Sequence, residues 1–570
     1  MKTEILIKRI ASIINSCASG CRLHRLHPDA QEIWFRYLMS DNSISIEKIK
    51  QIERVMNSIL AIIEQGNKEK ALELIGEFEK NSSNDKTTIF CAPGFWINIG
   101  SALGNASLVK RGVDIGENNL KDPSFKKHLI TLQYNVANGY MSLFEILEFK
   151  SNDQPIPRSE LLQKAKYYYR QVLYSLNGQD PHLEIQVLVN YANCLDTLGR
   201  HVEALEAYDD ALQIDKNFPM AIANKAKAMK FFADVSGQYR IPIYVEAYQA
   251  IKSVIDNPDL IKVGGLHAKI SFQKEMEYIE SMFVEDKTIL SEQLNHPHYA
   301  LEGLSDFERF YLDFCSKQRL FLNFHIHHTK CEAAIQDPIF IGMVTKISDN
   351  DTFYTLAKRL NQIKEDYATA RLLLVQAQYR RNDFDSISER TTYVNCLDYS
   401  MFNLYMGLLK SSFKEAYNIL DKIAVFINDY YKLKIPENSI YFTSIWHKKG
   451  QLRDELIQSN NISLFALYDI YKDFKSGEND RIQEIRNALT HRRLVIFDEA
   501  LVDKEEKAKA YNIEYREMLS LTVYLLQLTK AAVIYLINFV NVEENKKRAG
   551  KEFIPSIPVD TFQHFHLPPP

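Results

Sequence analysis

The sequence predicts an all-α protein: an N-terminal solenoid of helix–turn–helix units, then a C-terminal four-helix bundle. Three observations carry this expectation. Gly (20) and Pro (17) are scarce in 570 residues, leaving little turn material for a β-rich fold. Leu, Ile, Ala, Lys and Glu are abundant, a composition that favours long helices. Residues 185–219, "IQVLVNYANCLDTLGRHVEALEAYDDALQIDKNFP", repeat small and aromatic residues at the spacing of two crossing helices.

In that stretch Ala192, Gly199, Ala204, Tyr208 and Ala211 occupy the small and aromatic positions of a helix pair. Small side chains are needed where the helices cross closely, Tyr208 fills the gap to the next unit, and Gly199 lies at the turn, where a Cβ would be awkward. The pattern resembles a tetratricopeptide repeat. "AIANKAKAMKFFA" (221–233) reads as the first helix of a following unit, and weaker copies lie at 132–146, 161–176 and 67–80. A solenoid buries its faces only by stacking several units, so 1–49 reads as an N-terminal helical segment, 50–235 as the repeat array and 236–395 as a helical connecting region.

From about 396 the pattern changes to long amphipathic stretches: 401–433, 463–474, 480–500 with Asp480 as its N-cap, and 507–540. Four helices with short connections form an up-and-down bundle, assigned to 396–545, with 546–570 as a tail. "LSLTVYLLQLTKAAVIYLINFV" (519–540) has the length to span a bilayer. With Lys530, Gln527 and Asn538 inside it, a buried bundle or dimer-core helix is expected instead.

Bulk properties limit the function. The length exceeds what one hydrophobic core supports, and 46% apolar with 25% charged residues matches an ordinary soluble protein. A net charge of -4 excludes coating by nucleic acid over the whole surface, so any RNA contact must come from a local basic cluster. Seven scattered cysteines argue against a disulfide framework and for a reducing compartment. Cys17, Cys21, His24 and His27 form one Cys/His group, and His325, His327, His328 and Cys331 another. Neither reproduces a zinc-finger spacing, and no metal or cofactor is assigned. "ASGC" (18–21) suggests a lipoprotein box, but Lys8 and Arg9 break the apolar run before it, so no export signal is expected. The expected location is cytoplasmic.

"IRNALTHRRL" (485–494) is the stretch that could do chemistry. An Arg-x4-His string alone says little, since Arg22 to His27 repeats it in this chain. Context says more. Asn487 and His491 are four apart and share a helix face, Arg486 reaches toward the same groove, and Ile482, Ile485 and Leu489 form the adjoining apolar stripe. RNA carries its own nucleophile, the 2′-hydroxyl. A ribonuclease without metal therefore needs an imidazole to move protons and a guanidinium to hold the phosphate oxygens. Arg492 and Arg493 add donors for RNA phosphates. One histidine cannot comfortably serve both proton steps, which points to a second copy from a symmetric homodimer.

"RNALTH", with "SLFALYDIYKDF" and "FKEAYNILDKIAVFINDYYKL" before it, resembles the HEPN superfamily of ribonucleases and nucleotide-binding proteins, in its tetratricopeptide-linked branch. The resemblance covers roughly 300–545. It implies Arg486, Asn487 and His491 as active-site residues, a composite cleft between two bundles, 2′,3′-cyclic phosphate products without metal, and bacterial antiphage or toxin–antitoxin biology. Relatives often place an acidic residue of the preceding helix at the site, and Asp469, four before Asp473, is chosen for that role over an exposed acidic face.

The leading expectation is a dimeric, metal-independent endoribonuclease whose repeats sense or bind a protein or peptide partner, with no membrane involved. Its competitors are a non-catalytic tetratricopeptide scaffold that dimerises through the bundle, and a nucleotide-binding bundle.

Overall fold

The computed structural model of the chain describes residues 44–549 apart from 82–84, 149–158, 177, 238, 293, 295, 326–330, 345–349, 397 and 499–511. Cys17, Cys21, His24, His27, the 18–21 box, His327, His328 and the tail from 550 lie outside the described residues. Regular structure is almost entirely helical.

The N-terminal half is a run of helices: α1 (Ile46–Glu64), α2 (Lys68–Asn81), α3 (Lys86–Leu103), α4 (Ala106–Lys121), α5 (Leu129–Leu147), α6 (Glu160–Leu176), α7 (Pro181–Thr197), α8 (His201–Ile214), α9 (Pro219–Val235), α10 (Arg240–Val254) and α11 (Pro258–Met282). From α3 to α10 they pack as consecutive pairs, and each pair stacks on the next. The α7/α8 pair is the unit legible at 185–219: Ala192, Ala204, Ala211 and Tyr208 are all buried where the helices cross. The pairing continues beyond residue 235, because the second helix of the unit that begins at Pro219 is α10.

Gly199 joins α7 to α8 at φ +80°, a left-handed conformation, and a Cβ there would sit 2.7 Å from both the Ile462 side chain and its carbonyl oxygen. The turn is therefore glycine for two reasons, its own backbone and its contact with the C-terminal half. Gly199→Ala is expected to cost about 1–3 kcal/mol, seen as a lower midpoint of thermal unfolding.

The C-terminal half contains α12 (Asp306–Lys317), α13 (Asn350–Gln378), α14 (Asn382–Ser388), β1 (Ser400–Met401), α15 (Leu404–Tyr431), β2 (His447–Lys448), β3 (Gln451–Leu452), α16 (Asp454–Ser459), α17 (Ile462–Lys475), α18 (Asp480–His491), β4 (Val495–Phe497), β5 (Asn512–Glu514) and α19 (Tyr515–Arg548). The bundle is built on α13, α15, α17 and α19, with α18 lying against α15. Its first helix is thus α13, so the assembly begins well before 396. Asn461 caps α17 by accepting the Ser463 and Leu464 N–H groups, and its amide donates to the Phe539 carbonyl at 3.0 Å, tying α17 to α19.

α19 is long and apolar enough to cross a membrane, yet 83% of its most apolar stretch is buried inside the protein, as expected for a core helix. One hydrophobic core runs from Ile185 to Val540, so the later repeats and the bundle bury their faces against each other.

The segment predicted as one helix over 480–500 ends at His491. Arg492 leaves helical geometry at φ −141°, ψ −149°. Val495, Ile496 and Phe497, all buried, form β4, antiparallel to β1 and parallel to β5. A β-branched apolar run gains more from pairing between two strands than from one more helical turn. The helix consequently stops with His491 at its end.

Candidate active site

α18 is fixed by what it buries. Ile482, Ile485 and Ala488 are in the core and Leu489 packs at its margin. Gln483 donates to the Phe474 carbonyl at 2.7 Å, while Arg481 reaches Glu517 at 2.8 Å and the Asn512 carbonyl at 3.0 Å. Asn479, not Asp480, is the N-cap, and Asp480 sits in the first turn, where its charge suits the positive end of the helix.

The opposite face carries the polar residues. Asn487 and His491 are exposed and Arg486 is half-buried. Arg486 lies over the ring of Tyr417, 5.3 Å from its centre, and its Nη1 donates to Asn487 Oδ1 at 3.2 Å. Four residues after Tyr417 on α15, Asp421 accepts the Phe442 N–H at 2.8 Å. Burial raises the Asp421 carboxyl above its ordinary range, against the pull of the Phe442 N–H and the Arg486 charge. The guanidinium thus rests on an aromatic face beside an amide, with the Asp421 charge acting on it without a direct ion pair. His491, on the last turn, makes no hydrogen bond among the described residues.

Arg492 and Arg493 are exposed but sit beyond the helix, in the turn into β4. Lys410 of α15 anchors that turn by donating to the Leu494 carbonyl at 2.9 Å. Arg493 stands near Asp398, whose carboxyl is held low first by its hydrogen bonds from Ser400 and further by the Arg493 charge.

Asp469 is not at this site. It is completely buried, and so is Asp473 at 1% exposure. Both point away from α18 into the repeats. Lys166 of α6 bonds Asp469 at 2.6 Å and also Asp473, Arg200 of the α7–α8 turn bonds Asp469 at 3.0 Å and also Asp473, and Gln163 donates to Asp469. With its oxygens engaged by Lys166, Arg200 and Gln163, Asp469 cannot orient His491 or Arg486. An acidic group whose charge reaches Arg486 comes from α15 instead, as Asp421. The i, i+4 spacing of Tyr417 and Asp421 was the available signal, but nothing in the sequence pairs that face with α18.

Residues 347–543 match the family profile described as LA2681-like HEPN, so this part of the chain belongs to the HEPN superfamily. The match begins three residues before α13 and so includes that helix, in agreement with the packing. No curated protein and no solved structure matches the chain.

Proposed function

We propose that the chain is a metal-independent endoribonuclease that acts as a homodimer through its HEPN domain. The observation that supports this best is the α18 face, where exposed Asn487 and His491 share a helix side with an Arg486 already held by Tyr417 and Asn487. Such a guanidinium is set to receive a charged phosphate with little reorganisation.

In the proposed reaction an RNA strand lies between two α18 helices. One His491 takes the proton of the 2′-hydroxyl, and the 2′-oxygen attacks phosphorus. Arg486 holds the non-bridging oxygens as charge builds on the phosphorane, and Asn487 keeps the guanidinium in place. The P–O5′ bond then breaks, and the second imidazole protonates the leaving 5′-oxygen. The products are a 2′,3′-cyclic phosphate and a 5′-hydroxyl. Arg492 and Arg493 bind neighbouring phosphates. Cytoplasmic action, a role in antiphage defence or as a toxin, and sensing of a partner by the repeats belong to the same reading.

The test is product chemistry. RNA incubated briefly with the full chain in EDTA should acquire 2′,3′-cyclic phosphate and 5′-hydroxyl ends. RNA left intact by a folded, dimeric protein would instead favour the scaffold.

A further inference from the structure

Between α11 and α13 the chain has little regular structure apart from α12, yet three of its side chains converge. His296, His325 and Cys331 each place a ligating atom within 4.8 Å of the others. Cys331 Sγ stands 4.0 Å from His325 Nδ1, both residues are buried, and His296 is half-buried. The sequence groups Cys331 with His325, His327 and His328; the fold brings in His296, from a separate segment.

The backbone around them is built to hold this arrangement. Asn323, 4% exposed, donates to the Ala334 and Gln336 carbonyls at 2.7 and 3.0 Å and accepts the His325 N–H at 3.0 Å. That closes the loop and returns His325 to Cys331. On the other side, the Glu332 N–H donates to the Pro297 carbonyl at 3.0 Å, and His298 forms an antiparallel bridge with Cys331. This lays the His296 segment alongside the cysteine. Glu246 of α10 bonds His296 Nε2 at 2.9 Å, and Tyr239 packs edge-on to His325 with ring centres 4.0 Å apart.

We propose that His296, His325 and Cys331 bind one Zn2+ ion that staples these segments to α10. Sulfur with imidazole nitrogen is the donor set of zinc, whereas magnesium and calcium take oxygen. Ligand atoms around a tetrahedral zinc lie roughly 3.3–3.8 Å apart, given bonds of about 2.0–2.3 Å. Closure from the present spacing therefore needs only side-chain rotation. On binding, the Cys331 thiol releases its proton to solvent. The thiolate and the Glu246 carboxylate then balance the two charges of the ion, and both imidazoles remain neutral. Glu246 acts on the metal through His296, as carboxylates behind zinc-bound histidines do, and water completes the coordination. The ion belongs to the connecting region and is independent of the proposed RNA chemistry on α18.

Metal analysis of the full chain grown with zinc should find about one zinc per chain, falling to a small fraction in Cys331→Ser and in His325→Ala. Co2+ added to metal-free wild type should give a thiolate-to-metal absorption band, absent in Cys331→Ser and retained in Cys396→Ser, which alters an exposed cysteine. A wild type that holds no zinc and gives no such band overturns the proposal, as does zinc retained in full by Cys331→Ser. Should Cys331→Ser fail to fold, the wild-type Co2+ band and the zinc content of His325→Ala decide.

Discussion

His491→Ala is expected to lower RNA cleavage by about 10³-fold or more, because it removes a group that moves protons in both halves of the proposed reaction. The fold should not suffer, since His491 is exposed on the last turn of α18. Arg486→Ala should lower cleavage by about 10²–10³-fold through loss of charge stabilisation on the phosphorane. It should also weaken packing on Tyr417, so Arg486→Lys separates the two effects: it keeps the charge but loses the planar fork. In cells, His491→Ala should relieve any growth arrest caused by the wild type. The measurement is the initial rate on a labelled RNA, with thermal unfolding as the control. Unchanged cleavage in the His491→Ala, Arg486→Ala double variant would remove the assigned site.

Loss of one carboxylate from the buried cluster should be the most damaging change to stability. Lys166, Arg200, Asp469 and Asp473 are each at most 2% exposed, and Glu203, at the margin of the cluster, bonds Arg200 as a third carboxylate. Asp473→Asn takes from Lys166 and Arg200 a buried carboxylate that both bond, at an expected cost of about 3–5 kcal/mol. Lys166→Met combined with Asp473→Leu removes one charge of each sign and should cost less than Asp473→Asn, which thermal unfolding can compare. The cluster also predicts a pH dependence. Burial opposes ionisation of Asp473, but Arg200 and Lys166 override it and hold the carboxyl at about 2, below the ordinary 3.8. A depressed carboxyl contributes stability that is present above its unfolded pKa and lost as pH falls through the folded value. The Asp473 contribution should therefore be intact at neutral pH and disappear between about pH 4 and pH 2. In Asp473→Asn that acid-sensitive part should be missing.

The sequence was most informative where local rules decide the structure. The α7/α8 pair, the glycine between its helices and the buried long helix all followed from spacing and composition, because helical periodicity needs no knowledge of distant partners. The Arg486–Asn487–His491 face was legible for the same reason. Contacts between distant parts of the chain were not. Asp469 and Asp473 show only an i, i+4 spacing, which fits an exposed face or a catalytic one equally well. Their cations come from the middle of "LLQKAKYYYRQ" and from a turn, where Lys166 and Arg200 look like surface residues. The run 494–497 continues an apolar helix pattern until strands 400–401 and 512–514 are placed beside it. α13 reads as an ordinary amphipathic helix, and only its packing on α15 makes it part of the bundle.

The central claim is that two copies of α18 close around one ribose-phosphate linkage. Co-expression of wild-type chains with an excess of His491→Ala chains, followed by purification of the mixed protein, tests it most directly. The account predicts that cleavage per wild-type chain falls steeply as mixed dimers replace wild-type dimers. Cleavage per wild-type chain that stays constant, whatever the proportion of His491→Ala, would contradict a shared site.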